Sequence, residues 1–310
     1  MDAILGALIS ARGRFWLASA IPGAVAFWCL GALALGGIPL TAPRAARCAI
    51  PEAGIWCNLS DRGGVRFAAL VLLGVLGIIA GTSLVGVLTG PVLSVIAGFG
   101  WPIRGALGRV VRQWCSRQRR RRDRLLSQLD RGGGGVTARL AWYPTGAAAV
   151  RPTRVGNAFA ALDQRVRRRH GLDLSTCWPL IEQTLPQPAR DRLEAASRRV
   201  AGRIQNLLWT VAALAWLPAF PARLAVLIAV ACAVLAVLLW WAVSGAVEQY
   251  CALIEATVAA HRRAMYVAVG WCPPTSTAQE PERGRALTGY LNRLSDVGDV
   301  ALEWPDDAAT

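Results

Sequence analysis

Two histidines and eight cysteines are the residues of this chain whose types could bind a metal or act as base and nucleophile. His170 and His261 lie on separate predicted helices, and the cysteines after the second apolar stretch lack the paired Cys-x-x-Cys spacing of a zinc site. The chain also lacks the Gly-x-Ser-x-Gly pattern of a serine nucleophile. We therefore expect no metal, no cofactor and no enzymatic activity.

Cys48 and Cys57 form a separate pair, with eight residues between them, in a predicted loop outside the cytoplasm. Disulfides form and persist in such oxidising compartments. A disulfide between these two residues is the preferred prediction, and two free thiols in a flexible loop are the alternative.

Arginine supplies all 34 basic residues and gives the chain a net charge of +15. The segment 104–203 alone holds 22 arginines against seven acidic residues, so the basic character is local. Its densest part is predicted to bind anionic lipid headgroups or a protein partner, and consists of Arg117, Arg119, Arg120, Arg121, Arg122 and Arg124. Nucleic acid is a less favoured partner, because no motif of a nucleic-acid-binding fold accompanies the arginines.

Apolar residues make up 54% of the chain and charged residues 17%, and the mean hydropathy is +0.38. Four stretches, 15–43, 67–103, 204–222 and 224–247, contain no Asp, Glu, Arg or His. Each is close to or above the roughly 20 residues that cross a bilayer. The composition therefore predicts an all-α integral membrane protein with four transmembrane helices in two hairpins and a helical cytoplasmic module.

The arginine distribution predicts the topology, because positive residues near span ends stay in the cytoplasm. Residues 1–103 would hold the first hairpin, with spans near 15–38 and 67–90 and an outer loop at 39–66. Residues 104–203 would be a basic cytoplasmic block, residues 204–247 the second hairpin, and residues 248–310 a cytoplasmic helical extension with an acidic tail. Both termini are then cytoplasmic in a bacterial plasma membrane.

The second stretch is too long for one straight span and contains Pro91 after Gly90. A proline kink in one helix is the preferred interpretation, and a break at Pro91, with 92–103 as a second piece along or just beneath the inner interface, is the alternative. Small residues four positions apart permit close helix packing or oligomer contacts on two faces. The two pairs are Gly77 with Gly81 and Gly86 with Gly90.

The cytoplasmic block contains a turn, Pro152 to Asn157, that leads into an amphipathic helix. Asn157 is the predicted helix cap, and Gly171 is the predicted stop. Arg154 would either pair with an acidic group of the fold or hold a ligand anion. Both uses remain open from the sequence.

The fourth span continues without a breaker to Gly270, which predicts one helix of about 45 residues. From Gly245 onward the chain holds nine acidic residues and five arginines. Opposite charge predicts that this C-terminal part, including the tail 295–310, docks on the basic block.

Two groups of motifs resemble an uncharacterised group of bacterial, chiefly actinobacterial, multi-span membrane proteins. The resemblance covers most of 143–291 and rests on Tyr143-Pro144, Pro152-Thr153-Arg154-x-Gly156-Asn157, His170-Gly171-Leu172-Asp173, Trp178-Pro179-Leu180, His261-Arg262, Met265-Tyr266, Pro273-Pro274, Glu282-Arg283-Gly284 and Leu287-Thr288-x-Tyr290-Leu291. This chain departs from the pattern at His170, where the group has tyrosine, and before His261, where the group has an acidic residue. The resemblance implies a multi-span bacterial membrane protein and brings no activity with it.

These observations predict a non-enzymatic membrane protein, namely an interaction or sensing module with a basic cytoplasmic face that recruits anionic lipid or a protein partner. A homo-oligomeric channel that favours anions is the alternative. The uncharged spans exclude the intramembrane carboxylates that proton- or sodium-coupled transporters use.

Overall fold

A computed structural model describes residues 16–37, 65–99, 101, 105–132 and 134–292. Throughout these residues the secondary structure is helical, without a β-strand, as the composition predicted. The chain divides into two compact units. Of the described residues, the apolar unit comprises 16–37, 65–89 and 201–243, and the basic unit comprises those of 90–200 and 244–292.

Helices of the apolar unit are rich in Ala, Leu, Val and Gly. They comprise α1 (Trp16–Gly37), the first part of α2 (Val65–Ala97), the end of α7 (Gln187–Ala212), a 3₁₀ helix (Ala213–Ala219) and the start of α8 (Ala222–Ala268). Ala24, Val85 and Trp209 form the buried core of this unit. Glycines make room for tryptophan rings, since a Cβ at Gly77 or Gly81 would lie 2.8 Å from Trp28 or Trp209.

Two helical segments are long and apolar enough to cross a membrane, Gly74–Ala97 of α2 and all of α8. Many of their apolar side chains are exposed, for example Val87 and Trp241. The described part of the predicted first span supplies a shorter apolar helix, Ile21–Leu33. The predicted third span is divided, because α7 ends at Ala212 and the 3₁₀ helix follows. The described residues thus hold two of the four predicted spans.

Pro91 does not interrupt α2, so the preferred interpretation of a proline within one helix agrees with the structure, and the alternative of a break there is wrong. Proline removes one backbone hydrogen bond of the helix, yet α2 continues to Ala97 because Leu93, Ile96 and Ala97 are buried in the basic unit. The helix ends at Gly98, which has φ of +75°. This left-handed conformation is the usual helix stop of glycine, and the Phe99 amide donates to the Ser94 carbonyl at 2.9 Å.

Seven α-helical elements of the basic unit follow α2 among the described residues, and a short 3₁₀ helix (Ala147–Ala149) lies between the second and the third of them. The helical elements are α3 (Gly105–Asp130), α4 (Val136–Leu140), α5 (Arg154–His170), α6 (Leu174–Thr184), most of α7, the second part of α8, and α9 (Glu280–Leu291). A proline-containing turn connects α8 to α9. Its core contains Phe159, Leu162, Ile181, Ile254 and Leu287, all at most 1% exposed. The predicted long helix is confirmed, since α8 runs for 47 residues without interruption.

The end of α5 crosses α9 at very short range. Gly171 ends α5 with φ of +71°, as the sequence predicted. A Cβ at Gly284 would lie 1.9 Å from the His170 carbonyl oxygen, and one at Gly171 would lie 2.0 Å from the Pro281 carbonyl oxygen. Only glycine permits this backbone approach.

Candidate membrane-surface site

Helix α3 carries the densest positive charge of the chain, with eight arginines and two aspartates. Arg117, Arg120, Arg121 and Arg124 follow the i, i+3, i+4, i+7 spacing that places side chains on one helix face. All four side chains are exposed. We call this set the arginine stripe.

Toward the start of α3, the helix face that carries the arginine stripe becomes apolar. Val110 and Trp114 precede Arg117 and Arg121 on the same line of the helix and are 45% and 40% exposed. The Trp114 ring lies 5.7 Å from the Trp101 ring, centroid to centroid. Tryptophan followed by arginine on one helix face is typical of a helix that lies at the boundary between acyl chains and headgroups.

The aromatic end of this surface is fixed to α2. The indole Nε1 of Trp101 donates to the Val95 carbonyl at 2.8 Å. Nearby, the Arg151 guanidinium lies 5.4 Å from the centre of the Phe99 ring, in cation–π geometry. The apolar end of α2 and the start of α3 therefore present three aromatic rings close to the arginine stripe.

The other two predicted lipid-binding arginines have a different use. Nε of Arg119 donates to the Ala147 carbonyl and Nε of Arg122 to the Pro144 carbonyl, both at 3.0 Å. Arg122 also contacts the Thr145 carbonyl and lies 3.2 Å from Asp123. These two side chains attach the 144–147 segment to α3, so four of the six predicted arginines form the stripe, and the other two, of which Arg119 is also exposed, bind the neighbouring segment.

Tyr143 reinforces this attachment by donating from its hydroxyl to Oε1 of Gln118 at 3.0 Å. Burial raises the pKa of the Tyr143 phenol above its ordinary value, although the guanidinium groups of Arg121 and Arg154 act in the opposite direction. The phenol is therefore a neutral hydrogen-bond donor at physiological pH.

The motif residues Arg154 and Asn157 have structural partners. Arg154 binds Glu248 in a two-point ion pair, by Nε to Oε1 and by Nη2 to Oε2 at 3.0 Å. The prediction for Asn157 is wrong, because Thr153 is the helix cap and accepts from the Gly156 amide at 3.0 Å. Asn157 instead lies within α5 and holds the preceding turn, with bonds of 2.7 and 3.1 Å to the Arg151 amide and carbonyl.

The motif residues near the end of α8 differ in environment. His261 is half-buried, whereas Arg262 donates through Nε to Glu280. The same carboxylate lies 2.7 Å from Nδ1 of His170, and both side chains are buried. Glu280 and Glu248 are site residues that the sequence reasoning missed, since no local pattern marks a carboxylate that meets an arginine many positions away.

The predicted glycine contacts are present at two of four positions. Gly77 and Gly81 contact tryptophan rings, while a Cβ at Gly86 would meet nothing within 4 Å. Gly90 is buried. Cys48 and Cys57 lie outside the described residues, and the six described cysteines are free thiols, so the predicted disulfide receives no support. Within the part of the chain that the structure describes, no cluster of three metal-binding side chains occurs.

Comparisons with protein-family models, curated proteins and solved structures find no match to this chain. The family resemblance therefore remains a prediction from the sequence motifs. What the molecule does has to be inferred from the surface of α3 and its surroundings.

Proposed function

We propose that this protein is a non-enzymatic, membrane-anchored interaction module of a bacterial plasma membrane, whose arginine stripe binds anionic lipid headgroups. In this proposal four helices span the membrane, and both termini and the basic unit are cytoplasmic. The observation that carries it is the continuity of Val110 and Trp114 with Arg117 and Arg121 on one exposed face of α3.

The four exposed arginines provide enough energy for such a role. An arginine close to an anionic membrane surface contributes roughly 1 kcal/mol, so the stripe contributes about 4 kcal/mol in total. Since about 1.4 kcal/mol corresponds to a tenfold change in affinity, removal of all four charges is expected to weaken the preference for anionic lipid by several hundredfold. Salt would weaken it as well, because the groups are exposed.

The test is lipid competition on the full chain, with bound lipid counted by native mass spectrometry. The protein in neutral detergent is offered equal amounts of phosphatidylglycerol and phosphatidylcholine. The wild type should retain mainly phosphatidylglycerol, and a variant with Arg117, Arg120, Arg121 and Arg124 changed to Gln should lose that preference.

A control with the same change in net charge replaces four exposed arginines elsewhere in the basic unit with Gln, namely Arg139, Arg168, Arg169 and Arg192. This control should keep the preference of the wild type. Equal loss in both variants would mean that total charge, and not the stripe, attracts the lipid, and the proposal would be wrong.

We place the channel second because of the hydroxyl groups of α2. Thr82, Ser83 and Thr89 donate to carbonyls of their own helix at 2.7–2.9 Å. Hydroxyls engaged in this way offer a permeating ion only their remaining lone pairs. Anion flux through liposomes that contain the protein, altered by substitutions at these positions, would reverse the order of the two proposals.

A further inference from the structure

A second candidate site lies in the basic unit at the end of α8, away from the arginine stripe. A cavity of about 640 Å³ opens between the last turns of α8, the 272–277 segment and the start of α9. This volume is in the range of small-molecule sites, roughly 300–1,000 Å³. Its lining combines two guanidinium groups with hydroxyl-bearing side chains.

The electrostatic balance of this cavity is positive. Its single carboxylate, Glu280, is already in contact with Nε of Arg262 and with Nδ1 of His170. Arg263 is a further guanidinium of the lining, and its side chain is exposed. An anion that enters the cavity therefore meets the Arg263 charge while the Glu280 charge is compensated.

Tyr266 provides the observation that points to a ligand. Its side chain lines the cavity and is 0% exposed, and its hydroxyl has no hydrogen-bond partner among the described residues. A buried hydroxyl without a partner carries a desolvation penalty that a ligand oxygen would remove. The hydroxyl can therefore form a hydrogen bond with an oxygen of a ligand in the cavity.

Hydroxyl groups add a third feature. The successive side chains of Thr275, Ser276 and Thr277 line the cavity just before α9 begins. The amino end of α9 itself does not contribute, because its first turn already carries Glu280 and Glu282. Hydroxyls and guanidinium groups are donors that commonly surround phosphate oxygens.

We propose that this cavity binds a phosphomonoester, with Arg263 and the Tyr266 hydroxyl as direct contacts and with Arg262, paired to the buried Glu280 and His170, as the support that fixes its wall. Free phosphate compounds and the headgroup of phosphatidic acid share this chemistry. The site is separate from the arginine stripe and does not depend on it.

The experiment measures ligand-induced stabilisation of the full chain in phosphatidylcholine nanodiscs, in a variant whose stripe arginines are Gln. The probes are inorganic phosphate, sodium chloride at equal ionic strength, and phosphatidic acid added to the nanodisc. Unfolding is followed by reaction of the buried Cys177 with a thiol reagent. We expect a saturable rise of the unfolding midpoint with phosphate or with phosphatidic acid, and none with chloride.

Two substitutions and a control test the assigned contacts. Arg263→Gln should weaken the apparent affinity at least about tenfold, which is the effect of one lost charged hydrogen bond. Tyr266→Phe should weaken it about twofold to tenfold while it leaves the ligand-free midpoint unchanged or higher, because it removes a hydroxyl without a partner. Arg168→Gln, on the exposed face of α5, should bind as the wild type does.

A response to inorganic phosphate identifies a free compound as the source, and a response confined to phosphatidic acid identifies a lipid headgroup. The proposal is overturned if neither probe stabilises the protein, if chloride does so equally, or if both substitutions leave the affinity unchanged. A lower ligand-free midpoint for Tyr266→Phe would also contradict it, since the hydroxyl would then already have a partner.

Discussion

The crossing of α5 and α9 makes Gly284→Ala a sharp test of the basic unit. The added Cβ would lie 1.9 Å from the His170 carbonyl oxygen, a backbone atom that moves only with the end of α5. Overpacking of this kind costs about 3 kcal/mol at the upper end of its usual range. Alanine recovers about 1 kcal/mol through its higher helix propensity, so the net loss is about 2 kcal/mol.

Gly245→Ala is the matched control, because Gly245 lies in α8 and a Cβ there would meet nothing within 4 Å. This variant should gain the helix propensity alone, about 1 kcal/mol. The same substitution in the same unit is thus expected to act with opposite sign at the two positions.

Reaction of Cys177 with a thiol reagent during heating measures both variants, since its side chain is 0% exposed and lies 3.7 Å from the Thr288 hydroxyl of α9. For units of 150–250 residues 1 kcal/mol moves the midpoint by about 2–4 °C. Gly284→Ala should lower the midpoint by about 4–8 °C and Gly245→Ala should raise it by about 2–4 °C. A midpoint for Gly284→Ala at or above that of the wild type would refute the close crossing of α5 and α9.

Three further predictions concern polar contacts of the basic unit and use the same Cys177 assay. Arg154→Met should lower stability by about 1–3 kcal/mol because Glu248, 11% exposed, loses its partner, and Glu248→Gln in the same chain should restore part of it. Thr153→Ala should cost about 1 kcal/mol through loss of the α5 cap, whereas an unchanged midpoint would rule out Thr153 as the cap. Burial raises the pKa of Asp173, but hydrogen bonds from Ser175 and the Arg167 charge outweigh burial and lower this pKa below the ordinary 3.8. The stability that Asp173 adds is therefore present above pH 3.8 and is lost as the pH falls through the lower folded-state pKa. Asp173→Asn should be less stable than the wild type at pH 7, and a difference that persisted undiminished in strong acid would contradict this.

Periodicity and glycine placement predicted the parts of the fold that depend on neighbouring residues. The length of α8 and the stop at Gly171 follow from hydrophobic spacing and from the left-handed conformation that glycine adopts. A helix that continues through Pro91 was the preferred interpretation, but its end at Ala97 could not be predicted in this way. That end is buried and lies against a distant part of the chain, since a Cβ at Gly156 would lie 2.1 Å from the Ala97 carbonyl oxygen.

The candidate membrane-surface site also combines features that follow from neighbouring residues with features that depend on distant ones. The spacing of Arg117, Arg120, Arg121 and Arg124 was visible in the sequence and determines which arginines share a face. The bonds of Arg119 and Arg122 were not visible, because their partners are the carbonyls of a segment more than 20 positions away. The sequence analysis placed the helix cap at Asn157, but α5 begins at Arg154, which makes Thr153 the cap.

The expected attraction between the acidic C-terminal part and the basic block takes a specific form within the described residues. Arg154 binds Glu248, and Arg165 lies 2.9 Å from Glu255, so two carboxylates of α8 meet two arginines of α5. Both pairs occur in the same order along the two helices, which means that α5 and α8 run in the same direction where they are in contact. Parallel helix dipoles repel each other weakly, and the ion pairs offset this repulsion and fix the register of the two helices. Net charge alone predicts the attraction, but only the spacing of the two carboxylates along α8 explains why that helix pairs with α5, while the predicted docking of the tail 295–310 lies outside the described residues.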